Sequence, residues 1–421
     1  MTIQQVISQI KKNVVPSKNE TMKVNEVSQE IIQIINEQAE KYGAELLIGG
    51  SVAKGTWLPG IHDIDCFLQF NYQTYSNKSE SLSDITEKIV KRCFSKYQRL
   101  HGSRDYFQTT YQGYEVEIIP VLKISNPKMM KNITDVSPLH FIWLSKKTAK
   151  SQLQTDVRLA KQFFKANGLY GAESFIQGFS GHVIEVLILH YGSFIKLLKQ
   201  ATKWTDTIII DPESHYTDET QLMILMNDSK LTSPLIVVDP MQPERNASAA
   251  LSKKKYEKLK KIANKFLAKP NTNFFVEDKI TAKKIRMRKS KNKLILLTIT
   301  PEAETTIDVA GCKILKQFEY ITQLITGFDF KIIRKNWYWD KHSEALLWFY
   351  VDPKKLSANF RHFGPPITVT EHATAFNKQW SKYTVKQSKG KLYVDLPRKV
   401  RTVNKVLAEL KNDKTLKVEV I

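Results

Sequence analysis

Cysteine is scarce. Cys66, Cys93 and Cys312 are scattered over 421 residues, odd in number and without a CxxC pair. That argues against a disulfide scaffold and against a zinc site, and it leads one to expect a reducing, cytoplasmic setting. Long hydrophobic runs are missing too. With no stretch of about 20 apolar residues, no membrane span is expected. The polar, helix-periodic segment Met1 to Lys12 lacks the apolar core of a secretory leader. Two phosphate-binding loops are also absent. Neither GxxxxGK(S/T) nor GxGxxG occurs, which sets aside the Walker and Rossmann readings. There is no repeat of fixed period and no long low-complexity linker. Finally, acid is in short supply: 64 Lys and Arg face 42 Asp and Glu, a formal net charge of +22. A charge so far from zero concerns partners rather than fold. A polyanion is expected, and nucleic acid fits best. An anionic membrane fits less well, because no basic helix with a strong apolar face stands out.

What is present is a chain with material for several cores, 42% hydrophobic and 10% aromatic. At roughly 150 residues per domain it holds about three domains. The spacing of Val24, Val27, Ile31, Ile35 and Ala39 predicts an amphipathic helix over 21–42, stopped by Gly43. Short apolar runs predict strands at Ala44 to Ile48 and Ile64 to Phe70, with Gly49-Gly50-Ser51 as a tight turn. Ser83 to Phe94 reads as a helix. Tyr106 to Tyr111 and Tyr114 to Ile119 read as a hairpin that Pro120 ends. Residues 1–140 thus form a mixed α/β domain. Residues 141–268 are mainly helical, with helices at Asp156 to Ala166, Gly181 to Gln200 and 253–267. From 269 to 421 the composition shifts again. A run from Lys279 to Lys293 holds eight basic residues and no acid. Strands at Leu294 to Thr300 and Ala345 to Val351 flank a helix at Ile307 to Thr326, a β/α pattern resembling a ferredoxin-like unit. Residues 354–410 read as a basic, aromatic-dotted tail. The fold class is α+β and multidomain.

The chemistry concentrates between residues 49 and 119. In a strand, residues two apart share a face, so Asp63 and Asp65 project together while Ile64 packs behind. Two carboxylates so placed can hold a pair of divalent cations about 3.5–4 Å apart, the separation used in phosphoryl transfer. Mg²⁺ suits them, taking oxygen ligands and keeping waters for substrate phosphates. The Gly49-Gly50-Ser51 turn lets backbone approach a phosphate closely, with Ser51 adding a hydroxyl and Lys54 a charge. A third carboxylate is offered by Glu115 or Glu117 on the strand Tyr114 to Ile119; spacing does not choose between them.

The stretch Gly49 to Phe67 resembles the signature of polymerase-β-type nucleotidyltransferases. More narrowly, Gly55-Thr56-Trp57-Leu58-Pro59-Gly60 followed by Asp63-Ile64-Asp65 is similar to the archaeal-type, class I CCA-adding enzymes (tRNA nucleotidyltransferases). Three further segments carry the resemblance to about residue 250. They are Val157 to Lys161 running on to Lys165 through Glu173, Gly178-Phe179-Ser180-Gly181, and Val237-Val238-Asp239-Pro240 leading to Glu244-Arg245-Asn246. Arg361-His362-Phe363-Gly364-Pro365 is a weaker match.

The resemblance implies a polymerase-β-like head (1–140), a helical central neck (141–268) and an α/β C-terminal tRNA-binding body and tail (269–421). It implies addition and repair of the 3′-terminal CCA of tRNA from CTP and ATP without a template, with two Mg²⁺ ions, and a homodimer. By position, Asp63, Asp65 and Glu117 would hold the metals, Glu117 standing where the family usually has Asp. Ser51, Lys54, His140, Lys161 and Tyr170 would contact the nucleotide. Lys54 stands where Arg is frequent, keeping the charge without the bidentate geometry. Arg245 would read the incoming base. Each has a plainer reading: His140 as a half-buried histidine, Lys161 as a solvated lysine, Tyr170 as a packing aromatic, Arg245 as the partner of Glu244 or Asp239. His182 and His190 are read as structural. Two rival functions share the head: a poly(A) polymerase or oligoadenylate-synthetase-like enzyme, and a catalytically silent RNA-binding protein, against which all three carboxylates argue.

Overall fold

The computed structural model describes residues 1–60, 63–147, 151–302, 305–412 and 419–420. They part into two compact units, Met1–Asp278 with Glu304–Asp308, and Lys279–Ala303 with Val309–Ile421.

In the first unit, the helix Lys18–Ala39 begins at Ser17. Its hydroxyl accepts the Glu20 N–H, while the Glu20 carboxylate reaches back to the Ser17 N–H, so two orphan donors of the first turn are satisfied together. The five apolar positions of its predicted stripe are all buried. A sheet follows from β1 (Ala44–Ile48), β2 (Asp63–Asn71), β3 (Gln98–Leu100), β4 (Tyr106–Tyr111) and β5 (Tyr114–Lys123). Its order is β1-β2-β5-β4-β3, with β2 and β5 parallel and the other neighbours antiparallel. Ile64, Cys66, Leu68 and Phe70 of β2, with Val116, Ile118 and Leu122 of β5, enter one core with the helices Lys18–Ala39 and Leu82–Cys93. Because side chains alternate along a strand, that burial turns Asp63, Asp65, Glu115 and Glu117 to the opposite face.

Pro120 does not end β5, which runs on to Lys123 alongside β2. The pairing with β4 stops at Ile118, and the Pro120 carbonyl accepts a hydrogen bond from Arg104 Nη1 at 3.0 Å instead of from a strand. A strand residue's N–H and C=O point the same way, so the missing donor of Pro120 faces a side with no ladder to lose.

The helical part gathers around Phe163, Phe164, Phe194 and Phe266 in one core. The single helix expected over Gly181 to Gln200 is two, Gly181–Tyr191 and Phe194–Ala201, bent by 93°. Gly192 takes φ +81 and caps the first; the Ser193 hydroxyl accepts the Lys196 N–H and starts the second. Apolar residues lie on both sides of the corner, and Gly192 as C-cap with Ser193 as N-cap mark it locally. Among the described residues no single helix is long and apolar enough to cross a membrane. Two short parallel strands, β6 (Ile208–Ile210) and β7 (Leu235–Val237), and the helix Lys253–Ala268 complete the unit.

The second unit holds β8 (Lys293–Ile299), the helix Ile307–Gly327 from Val309 onward, β9 (Ile332–Tyr338), β10 (Ala345–Val351), the helix Val403–Asn412 and β14 (Glu419–Val420). The antiparallel sheet runs β14-β8-β10-β9, which is the 4-1-3-2 order of a ferredoxin-like βαββαβ unit. Ile314, Phe318, Ile321 and Ile325 of the longer helix share a core with Ile295, Leu297, Leu347 and Phe349. Residues 354–410, expected as a tail, are folded. Between β10 and the last helix lie β11 (Asn359–Pro366), the helix Thr370–Gln379, β12 (Lys386–Ser388) and β13 (Lys391–Pro397), the strands forming a sheet in the order β11-β13-β12. The helix is anchored by Phe376, whose ring occupies the place where a Cβ on Gly364 would lie, 2.6 Å away.

Candidate active site

The predicted tight turn after β1 is one turn of helix, Gly50–Ala53, laid directly on β2. The Gly49 N–H donates to the Asp65 carbonyl at 2.7 Å. Gly50 sits at φ +57, and a Cβ there would stand 1.6 Å from Asp65 Oδ2; at Gly49 it would stand 2.2 Å from the Phe67 ring. Two side chains of β2 therefore impose the glycine pair, by lack of room and, at Gly50, by a left-handed backbone. Ser51 follows, half-buried, in the same turn.

The parallel register of β2 and β5 sets Asp65 opposite Glu117 and Asp63 opposite Glu115. Four carboxylates thus form two cross-strand pairs on one face. Asp65 and Glu117 are half-buried, Asp63 and Glu115 exposed. Burial, then the charges of Asp65, Asp63 and Glu115, push the Glu117 carboxyl up to about 7. Burial and Asp63 also raise Asp65, with Lys54 and Lys161 pulling the other way.

Behind Asp65 lies a residue that the sequence reading missed. Glu185, on the helix Gly181–Tyr191, is buried and accepts from Lys54 Nζ, Lys161 Nζ and the Thr56 hydroxyl, each at 2.9 Å. Burial would raise its carboxyl, but Lys161 and Lys54 outweigh that and hold it well below the usual carboxylate range. Lys161 also donates to the Thr56 carbonyl and hydroxyl. It is therefore an interior cation and not a solvated lysine. Tyr170 is half-buried, bridged through Phe179. Its hydroxyl lies 3.0 Å from where a Cβ on Gly181 would be, with the Lys165 ammonium over its ring. The only trace of Glu185 in the sequence is one acid inside Val183-Ile184-Glu185-Val186-Leu187-Ile188-Leu189, a stripe otherwise fit for a core.

A cleft of about 420 Å³ brings Gly50, Lys54, Asp65, His140 and Arg245 together with His182 and Gln242. Its far wall hangs on Asp239, which is fully buried. His140 Nε2 donates to Asp239 Oδ1 at 2.7 Å, and Arg245 Nη1 to Asp239 Oδ2 at 2.6 Å. These partners hold the Asp239 carboxyl below its ordinary range against the pull of burial. His182, read as structural, stands in this wall, its ring 4.8 Å from that of His140. Burial and His140 push it down to about 3, so it is neutral at ordinary pH. His140, His182 and Asp239 offer ligand atoms within 4.8 Å of one another; the Asp239 carboxylate already answers four donors there.

A glycine turn pressed onto a strand of paired acids, with cations held behind and a cleft before it, defines the class: a nucleotidyltransferase head of the polymerase-β type. The solved structure of the RNA terminal uridylyl transferase Cid1 shares the fold, at TM-score 0.52 and 11% identity, over 66% of this chain and 98% of that one. Residues 155–276 match the family model "tRNA nucleotidyltransferase, second domain", and residues 299–419 match "CCA-adding enzyme, C-terminal domain". Residues 1–166 match the second messenger oligonucleotide or dinucleotide synthetase domain. The CCA-adding enzyme of Nanoarchaeum equitans is 32% identical over 95% of this chain and 96% of its own. That of Pyrobaculum aerophilum is 31% identical over 87% and 83%. The chain belongs to the archaeal-type CCA-adding enzymes and is a tRNA nucleotidyltransferase.

Proposed function

We propose that this enzyme builds and repairs the 3′-terminal CCA of tRNA from CTP and ATP, without a nucleic-acid template, at the acids of β2 and β5. The observation that carries the assignment of the centre is the register that sets Asp65 opposite Glu117 beneath Gly50. Asp63, Asp65 and Glu117 would hold two Mg²⁺ ions. The donor set fits them: all oxygen, and so crowded with like charge that Glu117 is pushed up to about 7, a repulsion that bound dications relieve. When bound, the ions would supply activation of the terminal 3′-hydroxyl and neutralisation of the leaving pyrophosphate.

The chain's own groups do the positioning. The Gly49–Ser51 turn brings backbone and the Ser51 hydroxyl to the triphosphate beside Asp65. Lys54 lines the cleft and faces the phosphates. Lys161, clasped to Glu185 and Thr56, supports Lys54 and adds positive potential without leaving the interior. His140 and Tyr170 flank the bound nucleotide, and Arg245 reads its base edge. Catalysis by positioning and fixed charge suffices for phosphoryl transfer. In this proposal residues 1–140 act as head, 141–268 as neck and 269–421 as tRNA-binding body and tail. The working form is a cytoplasmic homodimer, which light scattering checks.

The test is a transcript of tRNA lacking CCA, incubated with each nucleoside triphosphate and with CTP plus ATP. CTP alone extends it by two residues, and ATP then adds one and stops. A run of A from ATP alone would instead mark a poly(A) polymerase, and no extension a silent RNA binder.

A further inference from the structure

Asp239 and Arg245 close the two ends of one short loop. Behind the carboxylate, the Asp239 N–H donates to the Arg245 carbonyl at 2.9 Å, and Val238 bridges Asn246. The carboxylate itself is inaccessible and heavily used. Oδ1 accepts from His140 Nε2 at 2.7 Å and from the N–H groups of Met241 and Gln242 at 2.9 and 3.1 Å. Oδ2 accepts from Arg245 Nη1 at 2.6 Å, with His182 Nε2 at 3.8 Å. The Arg245 side chain is 43% exposed and lines the cleft that Asp65 also lines. A long, flexible arm in an open cleft has many rotamers; a single charge-assisted bond to a fixed acid selects among them.

We infer that Asp239 is a positioning residue for nucleotide choice: it aims the Arg245 guanidinium at the base edge and fixes His140 in the cleft wall. The inference rests on Arg245 reading the base, as proposed above. One acid holds both groups, so two cleft-lining side chains are set by a single anchor. Its Oδ1 also seals the loop backbone, so the loop is already shaped before a nucleotide arrives. The interaction with His140 requires Nε2–H as donor, because a carboxylate can only accept, and this leaves Nδ1 for the cleft.

The experiment compares Arg245→Ala, Asp239→Asn and the double variant. The readouts are kcat/KM for CTP and for UTP on tRNA lacking CCA, and tRNA affinity. Arg245→Ala is expected to lower the CTP-over-UTP preference about ten- to hundredfold, the worth of one good base-edge contact. Asp239→Asn keeps the shape but turns an amide NH₂ toward Arg245 or His140. It is expected to lower the same preference at least about tenfold, with tRNA affinity within about twofold of wild type. In the Arg245→Ala background, Asp239→Asn should change the preference less than about twofold, because the arm it aims is gone.

An unchanged preference in Arg245→Ala overturns the base-reading assignment. A loss in Arg245→Ala without one in Asp239→Asn overturns only the role of Asp239. Losses that multiply in the double variant also overturn it, since an acid that merely props the loop acts independently of Arg245. Should Asp239→Asn not fold, Asp239→Ser, which keeps an acceptor for the Met241 and Gln242 N–H groups, enters the same comparison with the same outcomes.

Discussion

Replacing Glu185 with Gln removes one negative charge from a site where two ammonium groups and a hydroxyl converge on it at 2.9 Å each. The side chain of Glu185 is 1% exposed, and those of Lys54 and Lys161 are 13% and 6% exposed, so water cannot take over. Burying a charge is costly, and removing one partner of a buried pair strands the other, at about 3–5 kcal/mol. Two cations are stranded here, which places Glu185→Gln toward the upper part of that range. For a unit of this size each kcal/mol moves Tm by roughly 2–4 °C, so a fall on the order of 10 °C is expected. Urea unfolding followed by tryptophan fluorescence measures the free-energy loss, and a thermal melt the fall in Tm. The double variant Glu185→Gln/Lys161→Met should recover about half of the loss, since one stranded charge is removed. Glu185 is held below its ordinary value of 4.5. The unfolded chain therefore binds its proton at higher pH than the folded one. The stabilisation is complete above about pH 4.5 and fades as pH falls toward the folded value, and the Gln variant lacks this acid-sensitive part. A loss below about 1 kcal/mol, or no recovery in the double variant, would refute the argument that Glu185 neutralises the interior cations.

The other predictions concern the centre and the basic surface. Gly50→Ala should cut nucleotide addition by at least about a hundredfold, because its Cβ needs the space of Asp65 Oδ2 and its φ is +57; near-normal turnover would show that the turn is not pressed on Asp65 in solution. Asp65→Ala should abolish addition while leaving tRNA binding nearly intact, and turnover above about a hundredth of wild type would count against a metal-holding acid. Glu117→Ala should be inactive and Glu115→Ala active, because only Glu117 stands opposite Asp65; Glu117→Asp should be tolerated, and the reverse order of the two Ala variants would make Glu115 the ligand. Changing Lys283, Lys284, Arg286 and Arg288 together to Gln should weaken tRNA binding and flatten its salt slope by up to about three log units per log unit of salt. Each phosphate contact contributes roughly 0.7–0.9, and an unchanged slope would exclude this run as an RNA contact.

The elements that could be read from the chain are those whose cause is local. The stripe of the helix Lys18–Ala39 and the alternation that turns Asp63 and Asp65 away from Ile64 follow from a side-chain period of 3.6 or 2, and the strands β1 and β10 from short apolar runs. Local grammar also placed the glycine pair beside the acids, though not the reason for it, which is the side chains of Asp65 and Phe67. Where the sequence misled, the deciding contact came from elsewhere in the chain. Pro120 stays inside β5 because β4 has ended and Arg104 takes its carbonyl. The folding of residues 354–410 rests on contacts such as Phe376 against Gly364. The choice between Glu115 and Glu117 depends on the register with β2, more than fifty residues upstream. Glu185 looked ordinary in sequence because its importance comes from partners about 25 to 130 residues away, and Asp239, foreseen as a partner of Arg245, gains its hold on His140 from a contact 99 residues away. A carboxylate gains that weight only when folding removes its water and supplies cations in its place. Charge, period and motif determined which kind of enzyme this is; burial and register decided which of its charged groups line the cleft and which lie buried behind them.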